Sequence, residues 1–419
     1  MPSPFQTFRQ LQPVQRRAFT ACFLGWTLDA FDFFLLTYTL DAVAVTFGIT
    51  LKVATTAIFW TLCMRPVGAL LFGWMAERYG RRPTLMINIV CFSVFELASA
   101  FAPSFRTFLV FRALFGIAMG GEWGVGSALA LETLPAENRG FFGGLLQEGY
   151  AAGNLLAAGV YGLVSVLYHG QTLPSWRLLF LLGALPSLLV VYIRSSVKES
   201  PAWLDGKQSK RVTDGSRATL ALLRAHLPVL LMLMLLMTGL NSLSHGSQDL
   251  YPTFLKTVHH LSPRTTSLIA IIATLGALCG GPVWGMLSER WGRRRALAGS
   301  ALLAIPVVPL WIWSHSLLLL ALGGFLMQFM VQGAWGIVPT HLNELSPAPL
   351  RAMLPGLAYQ LGNLISSRNA VLQTAVAMSL FGGSLAPVLA WTVGITSVFV
   401  AIVAWFGREA RGADLSTSG

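Results

Sequence analysis

Residues 241–253 carry a dense set of polar side chains directly after one of the most apolar runs of the chain, residues 228–240. Such a run predicts a membrane helix, in which polar side chains are destabilising unless they have a function. At 100° per residue, the polar groups fall within about 140° of one another and form one stripe. His245 and Asp249 are four residues apart in it and can pair. This polar stripe consists of Asn241, Ser244, His245, Gln248, Asp249 and Pro252.

Two interpretations of the polar stripe are open. It could serve only as a patch of interhelical hydrogen bonds that holds helices together. A titratable pair beside two amides instead favours a site that binds a substrate and carries a proton. We therefore predict substrate contacts from Asn241, Ser244 and Gln248, and proton transfer by His245 or Asp249.

Charged side chains in the first two apolar segments lie at the depth of a membrane span. Asp29 and Asp32 share a helical face, roughly 16–21 Å from the start of their segment. Two carboxylates at that depth cannot both stay ionised without destabilising the helix, so one is expected to hold a proton. Arg65, close to mid-depth in the next segment, has a guanidinium fork that can hold a carboxylate. Fixed salt bridges of these acids with Arg112 or Arg65 are the structural alternatives.

Other polar groups are predicted at cavity depth in later segments. Glu148 lies about 12–17 Å into the fifth segment and is a further candidate for proton coupling. Glu122, in a glycine-rich stretch, is either a proton-handling group or an internal partner of Arg112. Gln360 and Asn363 reach mid-depth in the eleventh segment, where amides can bind carboxylate, hydroxyl or keto oxygens. The alternative for this amide pair is again a contact between helices.

The composition excludes most soluble classes of protein. A chain of 419 residues that is 54% apolar and 11% charged cannot hide its apolar surface in a soluble core. The net charge of +12 comes from short basic clusters between apolar segments, which argues against nucleic-acid binding. Four cysteines without paired spacing predict neither disulfides nor a metal site. The sequence lacks a nucleophile–base set and a phosphate loop, so an enzyme is not expected.

Twelve apolar segments are each long enough to cross about 30 Å of hydrocarbon. Placing the N-terminus in the cytoplasm puts most Lys and Arg on the cytoplasmic side, so both termini are predicted to lie inside a plasma (inner) membrane. The segments are residues 18–46, 53–76, 84–102, 106–132, 140–166, 176–194, 228–255, 265–287, 296–314, 317–343, 352–379 and 384–406.

One internal repeat has a fixed offset of 212 residues. It predicts two halves, with the binding site between them near the membrane midplane. The pattern Gly-x-x-x-Glu-Arg-x-Gly-Arg-Arg occurs at residues 73–82 and again at residues 285–294. Its acids and arginines can latch neighbouring helix ends and so control conformation. The predicted latch residues are Glu77, Arg78, Arg81 and Glu132 in the first half and Glu289, Arg290, Arg293 and Glu344 in the second.

The repeated pattern resembles the hallmark loop of the major facilitator superfamily, with Glu77 and Glu289 where that family usually has Asp. Residues 199–204, Glu-Ser-Pro-Ala-Trp-Leu, resemble an end mark of its sugar-porter members. Residues 241–253 also match the signature Asn-x-x-Ser/Gly-His-x-Ser/Thr-Gln-Asp-x-x-x-Thr of the lactate/pyruvate:proton symporters, in or beside the sialate:proton symporter group. This resemblance implies a substrate arginine at Arg65 and specificity residues at Gln360 and Asn363.

These observations predict an all-α membrane protein with twelve transmembrane helices in two pseudo-symmetric six-helix bundles, the major facilitator fold. The predicted units are residues 1–194, a cytoplasmic linker at 195–227, residues 228–406 and a cytoplasmic tail at 407–419. The expected function is proton-coupled symport of a small monocarboxylate such as L-lactate or pyruvate by alternating access. A monomer in the lipid bilayer is expected, with protons as coupling ion and no cofactor. A sialic-acid or aromatic-acid carrier is the alternative, and a drug exporter is less compatible with Arg65.

Overall fold

The computed structural model of the chain is built almost wholly from α-helices, and it describes residues 4–168, 174–185, 187–208 and 216–415. Helices suit these apolar segments because a helix satisfies its own backbone hydrogen bonds where water is absent. Up to residue 196 they are α1 (Pro4–Gln10), α2 (Pro13–Phe47), α3 (Leu51–Ala54), α4 (Thr56–Tyr79), α5 (Arg81–Ala100), α6 (Phe105–Thr133), α7 (Arg139–Gln147), α8 (Gly149–Leu167), α9 (Ser175–Leu182) and α10 (Ser187–Ser196).

Eleven further α-helices follow among the described residues. They are α11 (Pro201–Gln208), α12 (Ser216–Ala225), α13 (Leu227–Gln248), α14 (Tyr251–Thr257), α15 (Pro263–Trp291), α16 (Arg293–Leu303), α17 (Val308–Ile312), α18 (Leu317–Leu345), α19 (Leu354–Ser366), α20 (Asn369–Leu380) and α21 (Leu385–Phe406). Short 3₁₀ helices span Ala136–Asn138, Ile305–Val307 and Ala348–Leu350. Together the helices form the two predicted six-helix bundles, α2–α10 and α13–α21.

The two bundles repeat local structure at the same 212-residue offset. Thr50 and Ser262 each cap the helix that follows, accepting a hydrogen bond from the backbone N–H three residues on. Gly80 and Gly292 connect α4 to α5 and α15 to α16 with φ of +111° and +91°. L-residues rarely adopt that conformation, so glycine makes both tight turns possible. The prediction of pseudo-symmetric halves is therefore confirmed.

Eleven of the twelve predicted spans are helices, or runs of helices, that are long and apolar enough to cross a membrane, counted over the described residues. The exception is the predicted span at residues 352–379. It is interrupted at Ser367 and Arg368, which separate α19 from α20. The amides of Gln360 and Asn363 and the charge of Arg368 also make this segment less apolar than the other predicted spans. This predicted crossing, the eleventh along the chain, consists of two short helices.

The segment predicted as a linker contains structure of its own. In place of a simple charged loop it includes α11 and α12. Just before α11, the Glu199 carboxylate accepts hydrogen bonds from the backbone N–H groups of Arg81 (3.0 Å) and Arg82 (3.2 Å), and so caps α5. Burial raises the pKa of Glu199, and these hydrogen bonds partly oppose that shift. Ser200 Oγ donates to Glu132, so the linker is fastened to the first bundle at two points.

Both ends of the described chain lie on one side of the bundles, which we call the terminal face. There Phe8 packs on Phe142, with ring centroids 6.3 Å apart. The Glu409 carboxylate accepts a hydrogen bond from the backbone N–H of Arg294 (3.1 Å), next to the Gly292 turn. This is the face that the distribution of positive charge predicts to be cytoplasmic.

Glycines allow close helix packing near the centre of each bundle. Gly120 of α6 lies against the backbone of Arg65 in α4, and a Cβ at Gly120 would collide with the Arg65 carbonyl. Gly280 of α15 packs in the same way against the backbone of Phe329 in α18. Because glycine lets two helix backbones approach closely, α4 packs directly on α6 at the level of Arg65.

Candidate functional site

Arg65 lies where the two bundles meet. Its side chain is buried, with 2% exposure, and its guanidinium carbon lies 5.9 Å from the ring centroid of Tyr359 in the other bundle. Among the described residues, Nε and Nη2 of Arg65 have no hydrogen-bond partner. A permanent ion pair of Arg65 with Asp29 or Asp32 is therefore not present. A buried guanidinium fork in this condition can receive an anion.

Tyr359 is the centre of an aromatic cluster that sequence reasoning did not identify as part of the site. The rings of Trp123 and Trp335 have centroids 5.0 and 5.5 Å from that of Tyr359, and Trp26 lies 6.4 Å away. Trp123 and Trp335 occupy equivalent positions of the 212-residue repeat. This equivalence is the sequence signal that could have indicated that both lie where the two halves meet. The cluster places a flat apolar surface beside Arg65.

The amides of α19 lie beside this cluster and beside the polar stripe. Gln360 is 1% exposed, and neither its Oε1 nor its Nε2 has a partner within the described part of the chain. Asn363, one turn further along, lies close enough to His245 of α13 to interact with its ring. Of the two predicted amides, Gln360 therefore keeps its hydrogen-bonding groups available, and Asn363 lies beside the predicted proton pair.

The polar stripe is not one continuous helix. The α13 helix ends at Gln248, and α14 begins at Tyr251, immediately before Pro252. Pro252 has no backbone N–H to donate to the carbonyl of Gln248, four residues earlier, which explains why α13 does not continue into α14. The His245 ring nitrogen Nδ1 lies 3.3 Å from Asp249 Oδ1, and both side chains are 40% exposed. The structure thus brings this pair together.

The remaining members of the stripe are bonded within their own bundle. Gln248 Nε2 donates to Gln328 Oε1 (2.8 Å) and to Ser244 Oγ (3.1 Å). Gln332 also lies 3.4 Å from Ser244 Oγ. Asn241 donates to the carbonyl of residue 237 in its own helix (2.7 Å). In this conformation Gln248 and Ser244 connect α13 to α18, which matches the interhelical alternative, while Asn241 bonds within α13.

Asp29 and Glu122 form a buried acidic pair near Arg65. Each carboxylate interacts electrostatically with the other and with Arg65. All four carboxylate oxygens lack a hydrogen-bond partner among the residues described. The Glu122 carboxylate lies against Gly25 of α2, and a Cβ atom at Gly25 would collide with it. Glu122 therefore has Arg65 as its basic neighbour, and the expectation that it could partner Arg112 is wrong.

Arg112 forms a fixed ion pair with a residue that sequence reasoning did not single out. Its Nη2 lies 2.5 Å from Glu96 Oε2, and it also donates to Ser99 Oγ at 2.8 Å. The ring of Phe115 covers the guanidinium at 4.4 Å. The alternative of a salt bridge from Asp29 or Asp32 to Arg112 is accordingly wrong, because Glu96 takes the position. Asp32 nevertheless lies within electrostatic range of this pair.

Glu148 lies at the junction of the two bundles. It stands between α7 and α8, is 6% exposed, and its carboxylate lies against Gly281 of α15. A neighbouring side chain, Gln147, accepts a hydrogen bond from the indole N–H of Trp123 (3.1 Å). The structure therefore places Glu148 at an interface between halves, closer to the terminal-face contacts than to the polar stripe.

Two glutamates join the bundles at the terminal face in a symmetric way. Glu77 Oε1 accepts a hydrogen bond from the backbone N–H of Ala352 (2.7 Å). Its repeat equivalent, Glu289, accepts from the N–H groups of Gly140 (2.8 Å) and Phe141 (3.2 Å). Each acid thus holds the start of a helical segment of the opposite bundle, where unpaired N–H groups favour a negative charge.

Arginines fix the latch acids mainly from within each bundle. Arg81 pairs with Glu77 (2.7 Å) and with Glu132 (3.2 Å). Arg293 pairs with Glu344 (3.0 Å) in the equivalent position. These networks agree with the predicted combination of acid and arginine. Between the bundles, the carboxylate-to-backbone contacts are joined by an ion pair of Arg351 with Glu132 at 3.5 Å.

Two predicted latch arginines do not make ion pairs with these acids. The Arg78 guanidinium lies 5.7 Å from the ring centroids of both Trp74 and Tyr79. Arg290 contributes its backbone carbonyl, which accepts a hydrogen bond from Arg411 (2.8 Å). Of the four predicted latch arginines, Arg81 and Arg293 are the two that pair with these acids. The prediction for Arg78 and Arg290 was wrong in this respect.

Backbone contacts between glycines also hold the two bundles together at the terminal face. A Cβ at Gly140 would collide with the carbonyl of Gly285, and one at Gly144 would collide with that of Gly281. These pairs bring α7 against α15 without intervening side chains. The two halves therefore meet tightly at the terminal face.

Two six-helix bundles that meet around a buried arginine define a membrane transporter. The chain belongs to the major facilitator superfamily: the "Sugar (and other) transporter" family matches residues 17–242, and the "Major Facilitator Superfamily" family matches residues 234–418. It is a multi-pass secondary transporter, and the expectation of a transporter instead of an enzyme is confirmed.

Several transporters are similar to this chain. A probable 4-methylmuconolactone transporter of Cupriavidus pinatubonensis is 30% identical over 88% of this chain and 85% of its own. The sialic acid transporter NanX of Escherichia coli is 30% identical over 85% of both chains. A carboxylic acid transporter protein homolog of Saccharomyces cerevisiae is 29% identical over 99% of this chain and 71% of its own. The proton:xylose symporter XylE has the same fold, with a TM-score of 0.75 at 19% identity over 97% of this chain and 98% of its own.

Proposed function

We propose that the protein is a proton-coupled symporter for a small monocarboxylate such as L-lactate or pyruvate. The observation that carries this proposal is the Arg65 side chain, which is buried between the bundles with two nitrogens free of protein partners in the described residues. A planar guanidinium binds a carboxylate through two parallel hydrogen bonds, and burial strengthens them. Relatives named for sialic acid and for carboxylic acids support an acidic substrate.

The neutral end of the substrate would be recognised by the second bundle. Gln360 can donate to a keto oxygen or accept from a hydroxyl, because both ends of its amide are free of described partners. Asn241 and Asn363 are the nearest further amides proposed to take part. Ser244 and Gln248 would contribute after exchanging their present hydrogen bonds with α18 for bonds to substrate. The aromatic surface around Tyr359 suits the apolar part of a small acid.

Two groups of acids are proposed to handle the proton. His245 and Asp249 are paired and partly exposed, so they can exchange protons with water. Asp29, with Asp32 behind it and Glu148 nearer the terminal face, would respond to the charge of Arg65. A carboxylate that binds Arg65 weakens the attraction that favours the ionised form of Asp29, so substrate binding and protonation of Asp29 favour each other. Symport of one proton with a monoanion is electroneutral, so a negative-inside potential does not oppose uptake.

Alternating access would then rock one bundle against the other around Arg65. In this proposal the networks of Glu77 and Glu289 hold the terminal face closed. Their contacts between the bundles break once in each transport cycle, when that face opens. We further propose that residues 1–194 and 228–406 move as the two units, joined by residues 195–227. The protein would act as a monomer in a plasma (inner) membrane with its terminal face in the cytoplasm, where basic residues are favoured.

An uptake panel in proteoliposomes with an imposed pH gradient tests the function. Acidifying the outer solution should speed entry of labelled lactate, and a protonophore should abolish accumulation above equilibrium. Uptake that responds to neither treatment would exclude symport and leave facilitated diffusion or exchange.

The 30% identity to a sialic acid transporter favours one second candidate, a carrier of sialic or aromatic acids on the same scaffold. Competition separates the two. Unlabelled pyruvate should inhibit lactate uptake at concentrations where sialic acid and benzoate do not. Stronger inhibition by sialic acid than by pyruvate would replace the monocarboxylate assignment while leaving the proton-coupling experiment unaffected.

A further inference from the structure

We propose that a cavity on the terminal face, outside the transport site, binds the phosphate headgroup of an anionic phospholipid. The cavity lies between the α15–α16 turn and the residues that follow α21. Its volume is about 560 Å³. It is lined by Arg290, Trp291, Gly292, Arg294, Arg295, Trp405, Glu409 and Arg411.

The lining is strongly positive. Four guanidinium groups face one carboxylate, and that carboxylate is already held by two backbone amides. Glu409 accepts hydrogen bonds from the N–H groups of Arg294 and Arg411, each at 3.1 Å. The guanidinium groups of Arg294 and Arg411 are positioned by backbone carbonyls, at 3.0 Å from Ala404 and 2.8 Å from Arg290. Carbonyls orient these side chains without neutralising them, so the cavity favours an anion with several acceptor oxygens.

The surroundings indicate a lipid as the source of that anion. Trp291 and Trp405 are 52% and 56% exposed at the cavity, and tryptophan is favoured at the headgroup level of a membrane. From Trp405, exposed apolar side chains continue along one face of α21 at Ile395, Val398 and Ile402. This face can carry the acyl chains into the hydrocarbon, while the arginines hold the phosphate. A free phosphate ion would not contact this apolar face.

The cavity is also connected to the contact between the bundles. Beyond Arg411, the Ala413 carbonyl accepts a hydrogen bond from Arg139 of the first bundle (2.6 Å). The Leu415 carbonyl accepts from Arg351 of the second bundle (3.1 Å), and the Leu415 side chain is fully buried. A lipid that holds residues 409–411 would therefore stabilise a segment that spans both bundles.

The test compares lipid retention by the purified full-length protein using native mass spectrometry and thermal unfolding. The probes are phosphatidylglycerol, phosphatidylcholine and inorganic phosphate. Phosphatidylglycerol should be retained in preference to phosphatidylcholine and should raise the Tm. Arg295→Gln with Arg411→Gln should weaken this retention by on the order of tenfold, because two positive charges near the headgroup are lost.

Arg264→Gln is the matched control, since it removes an exposed arginine at the opposite end of α15. The single variant Arg295→Gln, at an exposed position, keeps the test valid if the double variant does not fold. Equal loss of lipid in the control and cavity variants would overturn the proposal. So would an equal rise in Tm with inorganic phosphate, which would indicate a site for soluble anions.

Discussion

The cores of the two bundles are polar in different ways. The first holds ionisable side chains that lack hydrogen-bond partners among the described residues, namely Arg65, Asp29 and Glu122. The second holds neutral amides, and those of Gln248 and Gln328 are bonded to each other. A buried charge without a partner is far more destabilising than a bonded amide. The comparison indicates that the first bundle is arranged to receive charge, while the second supplies shape and neutral hydrogen bonds.

The largest effect should separate the two buried arginines of the first bundle. Arg112→Gln leaves Glu96 as an unpaired buried charge and should destabilise the protein by about 3–5 kcal/mol. Arg65→Gln removes a charge that lacks such a partner, so its cost should be much smaller. Thermal unfolding in detergent, followed by tryptophan fluorescence, measures both. A larger loss of stability for Arg65→Gln would mean that Arg65 is a structural residue and would break the comparison.

Next in size is the loss of carboxylate binding in Arg65→Lys. Lysine keeps the charge but loses the planar fork, so binding should weaken by roughly 1.5–3 kcal/mol. That is on the order of tenfold or more in affinity, for all carboxylates alike. Equilibrium binding of labelled lactate measures it, with Arg106→Lys, an exposed arginine of the same bundle, as the control. Unchanged affinity in Arg65→Lys would remove Arg65 from the site.

Proton coupling tests whether the titratable pair of the second bundle, His245 and Asp249, carries the proton. Asp249→Asn mimics the protonated acid, so exchange should survive while pH-driven accumulation is lost. His245→Ala should shift the pH dependence of transport, because Asp249 loses its titratable neighbour. Asp41→Asn, at an exposed position of α2, is the control. Normal accumulation in Asp249→Asn, with loss in Asp29→Asn, would assign the proton to the first bundle.

The symmetric latches should respond to substitution equally. Glu77→Gln and Glu289→Gln each weaken one carboxylate-to-backbone contact between the bundles. Both should slow cycling, with substrate affinity within a few fold of the original, because neither acid is near Arg65. Single-turnover efflux and equilibrium binding separate these two quantities, and Glu137→Gln at an exposed position is the control. A collapse of affinity would contradict the separation of latch and site.

The smallest effects are expected at the neutral amides. Gln360→Ala or Asn363→Ala should change the ratio of lactate to pyruvate uptake by a few fold, since each removes about one neutral hydrogen bond to substrate. Dependence on the pH gradient should remain. Loss of coupling in Asn363→Ala alone would show that its proximity to His245 matters more than its contact with substrate.

Much of the fold could be predicted because the deciding features are local or repeated. Apolar length alone locates membrane helices. The acids Glu77 and Glu289 could be recognised because they recur at one offset with the same neighbours. Arg65 could be recognised because an arginine at mid-depth requires a purpose. The roles of these residues in transport remain predictions.

The rest depends on contacts between distant segments. The partner of Arg112 is Glu96, and neither spacing nor composition distinguishes Glu96 from the other buried acids. Tyr359 collects rings from α2, α6 and α18, which only the assembled halves bring together. The interruption at Asp249 was missed because the polar stripe was projected on an ideal helix.

The glycine pairs at the terminal face have a thermodynamic consequence. Where Gly140 meets Gly285 and Gly144 meets Gly281, parting the bundles uncovers helix backbone whose hydrogen bonds are already satisfied within each helix. Heat capacity rises chiefly when apolar surface becomes hydrated. Opening these glycine contacts should therefore involve only a small change in heat capacity. The equilibrium between the closed and open forms of the terminal face should then change little with temperature.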